Sequence, residues 1–150
     1  MENYDQLYDR LRNDPAAFQA KLAEDVQVGD LDVVPLMGKQ VQIYMSWGYI
    51  SAKAEADARR AKYEFQEDCP SVLQALAEDN LKITGRKTTV AAVQAEVYGF
   101  KEYKDAREKF VEAEQFANFC RHAVEAMKHR LHMIQSINSR QKSELNTLPR

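Results

Sequence analysis

Residues 110–137 read FVEAEQFANFCRHAVEAMKHRLHMIQSI, and this stretch decides the fold class. Phe110, Ala113, Ala117, Cys120, Val124, Met127, Leu131 and Ile134 follow one another at intervals of 3, 4, 3, 4, 3, 4 and 3. Alternating steps of three and four keep side chains on one face of an α-helix, and an unbroken heptad seam predicts left-handed coiled packing. A second seam lies beside the first, formed by Phe116, Phe119, Ala123, Ala126, Met133 and Ile137. Together they make the apolar face wider than one partner helix needs. Either one seam serves the chain and the other a neighbouring copy, or both serve a multi-helix core. Phe116, Phe119, Cys120, Val124, Met127, Leu131 and Ile134 are the candidate interface between copies.

Moving toward the N-terminus, Gly99 interrupts an apolar run, so the last helix is expected over 101–143. The preceding segment, 69–100, reads as short helices joined by a basic connection at 80–89, with a helix restarting after Thr88 or Thr89. A long helix is expected over 36–68, because Ile43, Trp47, Ile50, Ala54, Ala58, Ala61 and Phe65 form one helical stripe. Cys69-Pro70 should end it, since the residue before proline avoids α geometry. Over 1–35, Tyr4, Leu7, Tyr8 and Leu11 mark a short first helix. Asp14-Pro15 reads as an N-cap followed by proline at the first helical position, with Phe18, Leu22 and Val26 lining a second helix that ends near Gly29. Residues 29–35 read as a loop, and the tail after Ser143 should fray. The expected class is all-α: one helical domain over 1–150, with long antiparallel helices in coiled-coil-like packing, short N-terminal helices, and assembly into a homo-oligomer.

Composition agrees with this class. The chain has 150 residues with 45% hydrophobic and 29% charged, and only five Gly and four Pro, so it can form a core and favours helix. Net charge is −2, which by itself argues against a nucleic-acid binder, but the charge is graded. Residues 1–40 carry eight acids against four bases, whereas residues 121–150 carry two acids against six bases and all three His. Such asymmetry suits self-association, or contact with a polyanion at one end. No apolar run is long enough to span a membrane. The start, Met1-Glu2-Asn3-Tyr4-Asp5, is unlike a secretory leader, and Cys69 and Cys120 form no CxxC pair. A cytoplasmic protein with reduced thiols is expected.

Motifs for catalysis fail on spacing. Gly85-Arg86-Lys87-Thr88-Thr89 is no phosphate loop, because Arg86 separates Gly from Lys and position 80 is Asn. There is no GxSxG and no HExxH, and Glu67-Asp68 and Glu78-Asp79 suit solvated helix ends. His122, His129 and His132 lack an acidic or Cys partner at metal-ligand spacing, so no catalytic residue, cofactor or metal is expected. Two basic clusters remain: Arg59, Arg60 and Lys62 in the long helix, and Lys82, Arg86 and Lys87 in the connection. Lys and Arg on a Gly-containing loop can follow an irregular single strand, and Tyr63 could offer a stacking surface. The basic last helix, through Arg121, Lys128, Arg130 and Arg140, is the rival location.

Two stretches carry a family resemblance. Leu22-Ala23-Glu24-Asp25-Val26-Gln27-Val28, then Leu36, then Tyr44-Met45-Ser46-Trp47, resembles the N-terminal half of UvsY-type recombination mediators of tailed phages. Phe119-Cys120-Arg121-His122-Ala123-Val124-Glu125-Ala126-Met127-Lys128-His129-Arg130, followed by Ile134 and Ile137, resembles that family's C-terminal helix. The resemblance covers roughly residues 20–65 and 110–140 and leaves out 66–105. It implies a non-enzymatic helper of homologous recombination. Such mediators form ring-like homo-oligomers, bind single-stranded DNA, and load a RecA-like recombinase onto DNA covered by single-strand-binding protein. The competing expectation is a helical, self-associating scaffolding protein, or one that binds a host protein, without nucleic-acid binding.

Overall fold

The structure is a computed structural model that describes residues 3–27 and 33–147, and these are helical almost throughout, with no strand among them. Six α-helices follow in order: α1 (Tyr4–Asn13), α2 (Pro15–Val26), α3 (Val33–Tyr63), α4 (Cys69–Ile83), α5 (Val90–Gly99) and α6 (Lys101–Thr147). A π-helical turn, Glu64–Asp68, joins α3 to α4. Among the described residues, no helix is long and apolar enough to cross a membrane.

Local chemistry sets most boundaries. Asn3 opens α1 with a reciprocal capping box: its side chain accepts from the Gln6 N–H at 2.8 Å, and the Gln6 side chain accepts from the Asn3 N–H at 3.1 Å. Asp14 caps α2 by accepting from Ala16 and Ala17, and Pro15 needs no donor there. Thr89 caps α5, and Gly99 ends it, as the sequence predicts. The expected end of α2 at Gly29 lies outside the described residues.

Three boundaries differ from expectation. Helix α3 starts at Val33 rather than 36, with Pro35 in its first turn, where a missing N–H costs nothing. The helical path does not stop at Cys69-Pro70. Cys69 keeps α geometry (φ −62, ψ −48), and its N–H reaches back five residues to the Glu64 carbonyl. That wider π turn absorbs the proline that would break a regular ladder. Helix α6 continues to Thr147, past the expected end at 143, and runs for 47 residues.

The chain divides into two compact units: unit 1 is Met1–Lys53 with Asn118–Arg150, and unit 2 is Ala54–Ala117. Both α3 and α6 contribute residues to each. Unit 1 buries Leu7, Tyr8, Leu11, Phe18, Trp47, Ile50, Cys120, Ala123, Met127 and Ile134. Within it α3 and α6 run antiparallel, since Met37 meets Asn138 while Gln40 meets Met127 and Arg130. Unit 2 is built on smaller side chains: Leu73, Ala77 and Leu81 of α4 against Val93 and Val97 of α5, with Cys69, Phe100 and Tyr103 packed alongside.

The heptad of α6 is visible in its burial. Ala106, Ala113, Cys120, Met127 and Ile134 recur every seven residues and are all buried. Between them the second buried position is Ala117 in unit 2, but Ala123 and Arg130 in unit 1. Val124 and Leu131, expected at the centre of the seam, are half-buried at its edge.

Candidate nucleic-acid interface

Both basic clusters belong to unit 2. Arg59, Arg60 and Lys62 are exposed near the C-terminal end of α3, and Tyr63 beside them is 64% exposed. Arg60 lies 4.0 Å from the Asp57 carboxylate, a contact open to solvent and therefore weak. The second cluster surrounds the end of α4. Lys82 sits 3.7 Å from Asp79, again in solvent. Arg86 and Lys87 follow Gly85, which adopts the left-handed region at φ +68.

The connection is not a loose loop. The Arg86 N–H donates to the Leu81 carbonyl at 2.9 Å, and the Gly85 N–H donates to the Lys82 carbonyl at 3.1 Å. This is the Schellman pair that closes a helix C-terminus through a left-handed glycine. It holds the backbone of Arg86 in place while its side chain remains in solvent. Cations at this position also complement the negative end of the α4 dipole. Among the described residues, Arg59, Lys62, Arg86 and Lys87 enter no ion pair, so their charge is available to a ligand.

The rival location on α6 is reduced by the structure. Arg130 is 4% exposed and cannot meet a phosphate backbone. Its guanidinium bonds the side chain of the buried Gln40 and lies 3.4 Å from the Gln27 carbonyl, while its Nε has no partner. Gln40 in turn donates to the Met127 carbonyl at 3.0 Å. Lys128 is paired with Glu125 at 2.6 Å and holds that carboxyl below its ordinary range. Arg121 bonds Asn118 at 2.9 Å. Arg140 remains exposed, and with His129, His132, Met133, Ser136 and Ile137 it borders a shallow cavity of about 480 Å³. His122 is exposed on the same helix. Among the described residues, no group of three His, Cys, Asp or Glu could hold a metal ion.

The expected interface residues divide three ways. Cys120, Met127 and Ile134 are 0% exposed inside unit 1, so these side chains cannot face another copy in this conformation. Burial pushes the Cys120 thiol up to about 12, which leaves it unreactive near neutral pH. Phe116, Val124 and Leu131 are half-buried, and Phe119 is 59% exposed, 6.4 Å from Phe18 between ring centres.

Two features escaped sequence reasoning. The first is a set of buried polar contacts inside unit 1. Trp47 donates its indole N–H to the Asp25 carboxylate at 2.9 Å, and Lys21 pairs with the same carboxylate at 2.6 Å. Asp25 is thereby buried with its charge compensated, and the Phe18 ring stands edge-on to Trp47 at 5.3 Å. The signal was present for Arg130, which falls between Met127 and Ile134 on the buried stripe, but its charge places it on the surface in any pattern reading. The second feature is a groove in unit 2 of about 610 Å³. It lies between the π turn with the start of α4 and helix α5, and its lining includes Phe65, Val90, Val97, Tyr98, Glu67 and Glu78. Residues 63–81 and 88–100, which supply nearly all of it, carry six carboxylates and no base. No family model, curated protein or solved structure matches this chain.

Proposed function

We propose that this protein is a non-catalytic recombination mediator, which binds single-stranded DNA in the cytoplasm and helps load a RecA-like recombinase onto DNA covered by single-strand-binding protein. The observation that carries the reading is the set of exposed, unpaired cations in unit 2, Arg59, Lys62, Arg86 and Lys87, with Tyr63 exposed beside the first pair. Cations follow a phosphate backbone and an exposed ring stacks on a base without reading sequence. The resemblance of residues 20–65 and 110–140 to UvsY-type mediators adds to this reading. A closed oligomer, ring-like in such mediators, repeats a modest site and makes it strong without a basic overall charge. No cofactor is required by this role.

The test is anisotropy of a labelled single strand across a salt series. Affinity should fall with salt with a slope of about −0.7 per phosphate neutralised. Replacing Arg86→Ala and Lys87→Ala together should flatten that slope and leave helix content unchanged, since both side chains are solvated. If the wild type ignores DNA at low salt, the mediator reading falls. The alternative is then a helical scaffolding or host-protein-binding role, which exposed apolar side chains such as Val41, Met45, Phe119 and Met133 favour.

A further inference from the structure

The groove of unit 2 has two carboxylates in its lining, set far apart, and no base. The connection at 84–89 folds α5 back along α4, so that Leu73, Ala77 and Leu81 meet Val93 and Val97 beneath the groove. Glu67, Ser71, Gln74 and Glu78 line one wall at steps of 4, 3 and 4, which puts them on one face of the helical path. Glu67 and Glu78 are therefore about three turns apart, roughly 16 Å along the axis. Neither carboxylate enters an ion pair among the described residues, and Gln74 steadies Glu78 by donating to it at 3.2 Å. The facing wall comes from α5, with Val90, Gln94, Val97 and Tyr98. At the Glu67 end three rings stand together: Phe65 and Tyr98 each lie 5.0 Å from Tyr103, centre to centre. Tyr98 packs on Tyr103 and is still 52% exposed. Arg107 acts on the Tyr103 hydroxyl but does not line the groove, and Lys87 and Lys101 are exposed outside it. The volume of about 610 Å³ is that of a small-molecule site.

We propose that this groove binds a linear aliphatic polyamine, with one terminal ammonium at Glu67 and the other at Glu78. The ammonium at Glu67 also meets the ring wall of Phe65, Tyr98 and Tyr103, and aromatic faces attract cations in addition to the carboxylate. The methylene stem lies along Val90 and Val97 and is removed from water there. Inner amines donate to the Ser71 hydroxyl and to the side-chain carbonyls of Gln74 and Gln94. Other ligand classes fit the lining less well. An anion faces two carboxylates with no base to offset them. Carboxylates three turns apart do not share one metal ion, and a neutral apolar ligand leaves both of them without a partner. The proposal is independent of the nucleic-acid reading, because Arg59, Lys62, Arg86 and Lys87 all lie outside the groove lining.

Titration calorimetry of the full chain with spermine, without DNA and at physiological ionic strength, tests this. The wild type should bind one spermine per chain. Putrescine, whose two charges are too close together to reach both carboxylates, should bind about tenfold more weakly, because it loses the second attachment. Glu67→Gln with Glu78→Gln keeps both side-chain shapes and should weaken spermine about tenfold or more. Glu108→Gln with Glu112→Gln removes the same charge from exposed positions of α6 outside the groove, and should leave affinity within about twofold because remote charges are screened. Gln94→Lys sets a cation in the middle of the groove and should abolish binding. Gln94 is exposed, and circular dichroism verifies that each variant folds. A wild type that ignores spermine, an equal loss in the two charge-removing variants, or a folded groove variant that binds as the wild type does would overturn the proposal. So would putrescine binding as tightly as spermine. If a lysine tetrapeptide binds at Glu67 and Glu78 more tightly than spermine does, the groove takes a protein segment and the proposal fails.

Discussion

Units 1 and 2 are built from opposite materials. Unit 1 buries large side chains (Trp47, Tyr8, Leu11, Ile50, Met127) together with buried polar and charged groups: Asp25, Gln40, Ser51 and Arg130. Among the described residues, unit 2 buries Ala54, Leu73, Ala77, Leu81, Val93, Val97, Ala106, Ala113 and Ala117 and no aromatic ring, while Val72, Leu76, Ile83, Val90 and Tyr98 remain exposed. Bulk and satisfied polar networks specify a unique interior, and breaking them is costly. A thin core with apolar side chains left outside is a surface made for contact. The two units differ accordingly: unit 1 holds the bulkier core with its buried polar groups, and unit 2 carries the exposed cations and the groove.

The strongest way to break that comparison is Trp47→Ala. It removes the largest buried ring and leaves the Asp25 carboxylate without its indole donor, so a loss of about 3–5 kcal/mol is expected. Urea unfolding reads the loss, and hydrogen exchange should place it first in the amides of unit 1. An equal loss of protection across α4 and α5 would mean that the two units are not separable in stability.

Next in size is the Arg130–Gln40 contact. Arg130→Met leaves the buried Gln40 acceptor unpaired and should cost about 1–3 kcal/mol. Adding Gln40→Leu removes the orphan, so the double variant should be more stable than the two single effects added together, by about 1 kcal/mol. Simple additivity in a double-mutant cycle would show that the two groups act independently.

Gly85→Ala addresses unit 2 alone. No atom lies within 4 Å of the added methyl, so the cost arises from the φ of +68 and not from a clash. About 1 kcal/mol is expected, read as a lower melting temperature. The DNA salt slope should change as well, since Arg86 loses its fixed backbone. An unaltered slope would detach the cap from the site.

The smallest effect concerns Asp5. Lys53 donates to its carboxylate at 2.5 Å and Tyr49 at 2.8 Å, and these bonds, then the Lys53 charge, hold the carboxyl below its ordinary value. A folded value below the unfolded one stabilises at pH above the unfolded carboxyl range and is lost as pH falls through the folded value. Asp5→Asn should therefore lower stability slightly at neutral pH and not at all in strong acid. The pair is exposed, so the change will be small, and a difference that grows toward low pH would contradict this sign.

Some of the architecture was readable residue by residue. Asp14-Pro15, Thr89 and Gly99 set helix ends through bonds to residues within four positions, and such signals need no tertiary context. The heptad from Ala113 to Ile134 was legible for the same reason, because periodicity is written along the chain. The candidate cations were legible as types, but their fixed backbone at Gly85-Arg86 was not, since a Schellman cap and a flexible loop share the same composition. Pro70 was misread because a widened π turn can absorb it, and no local rule reports that.

Helix content, the buried heptad of α6, the capping residues and the graded charge all follow from the order of residues alone, because each depends on neighbours within about one helical turn. The meeting of Asp25 with Trp47, the burial of Arg130 against Gln40, the division into two units and the acidic groove between the π turn and α5 were decided by tertiary packing. Each joins residues distant in sequence or lets a buried environment override a side chain's own preference for water, and free energies of that kind exist only once the partners are in place.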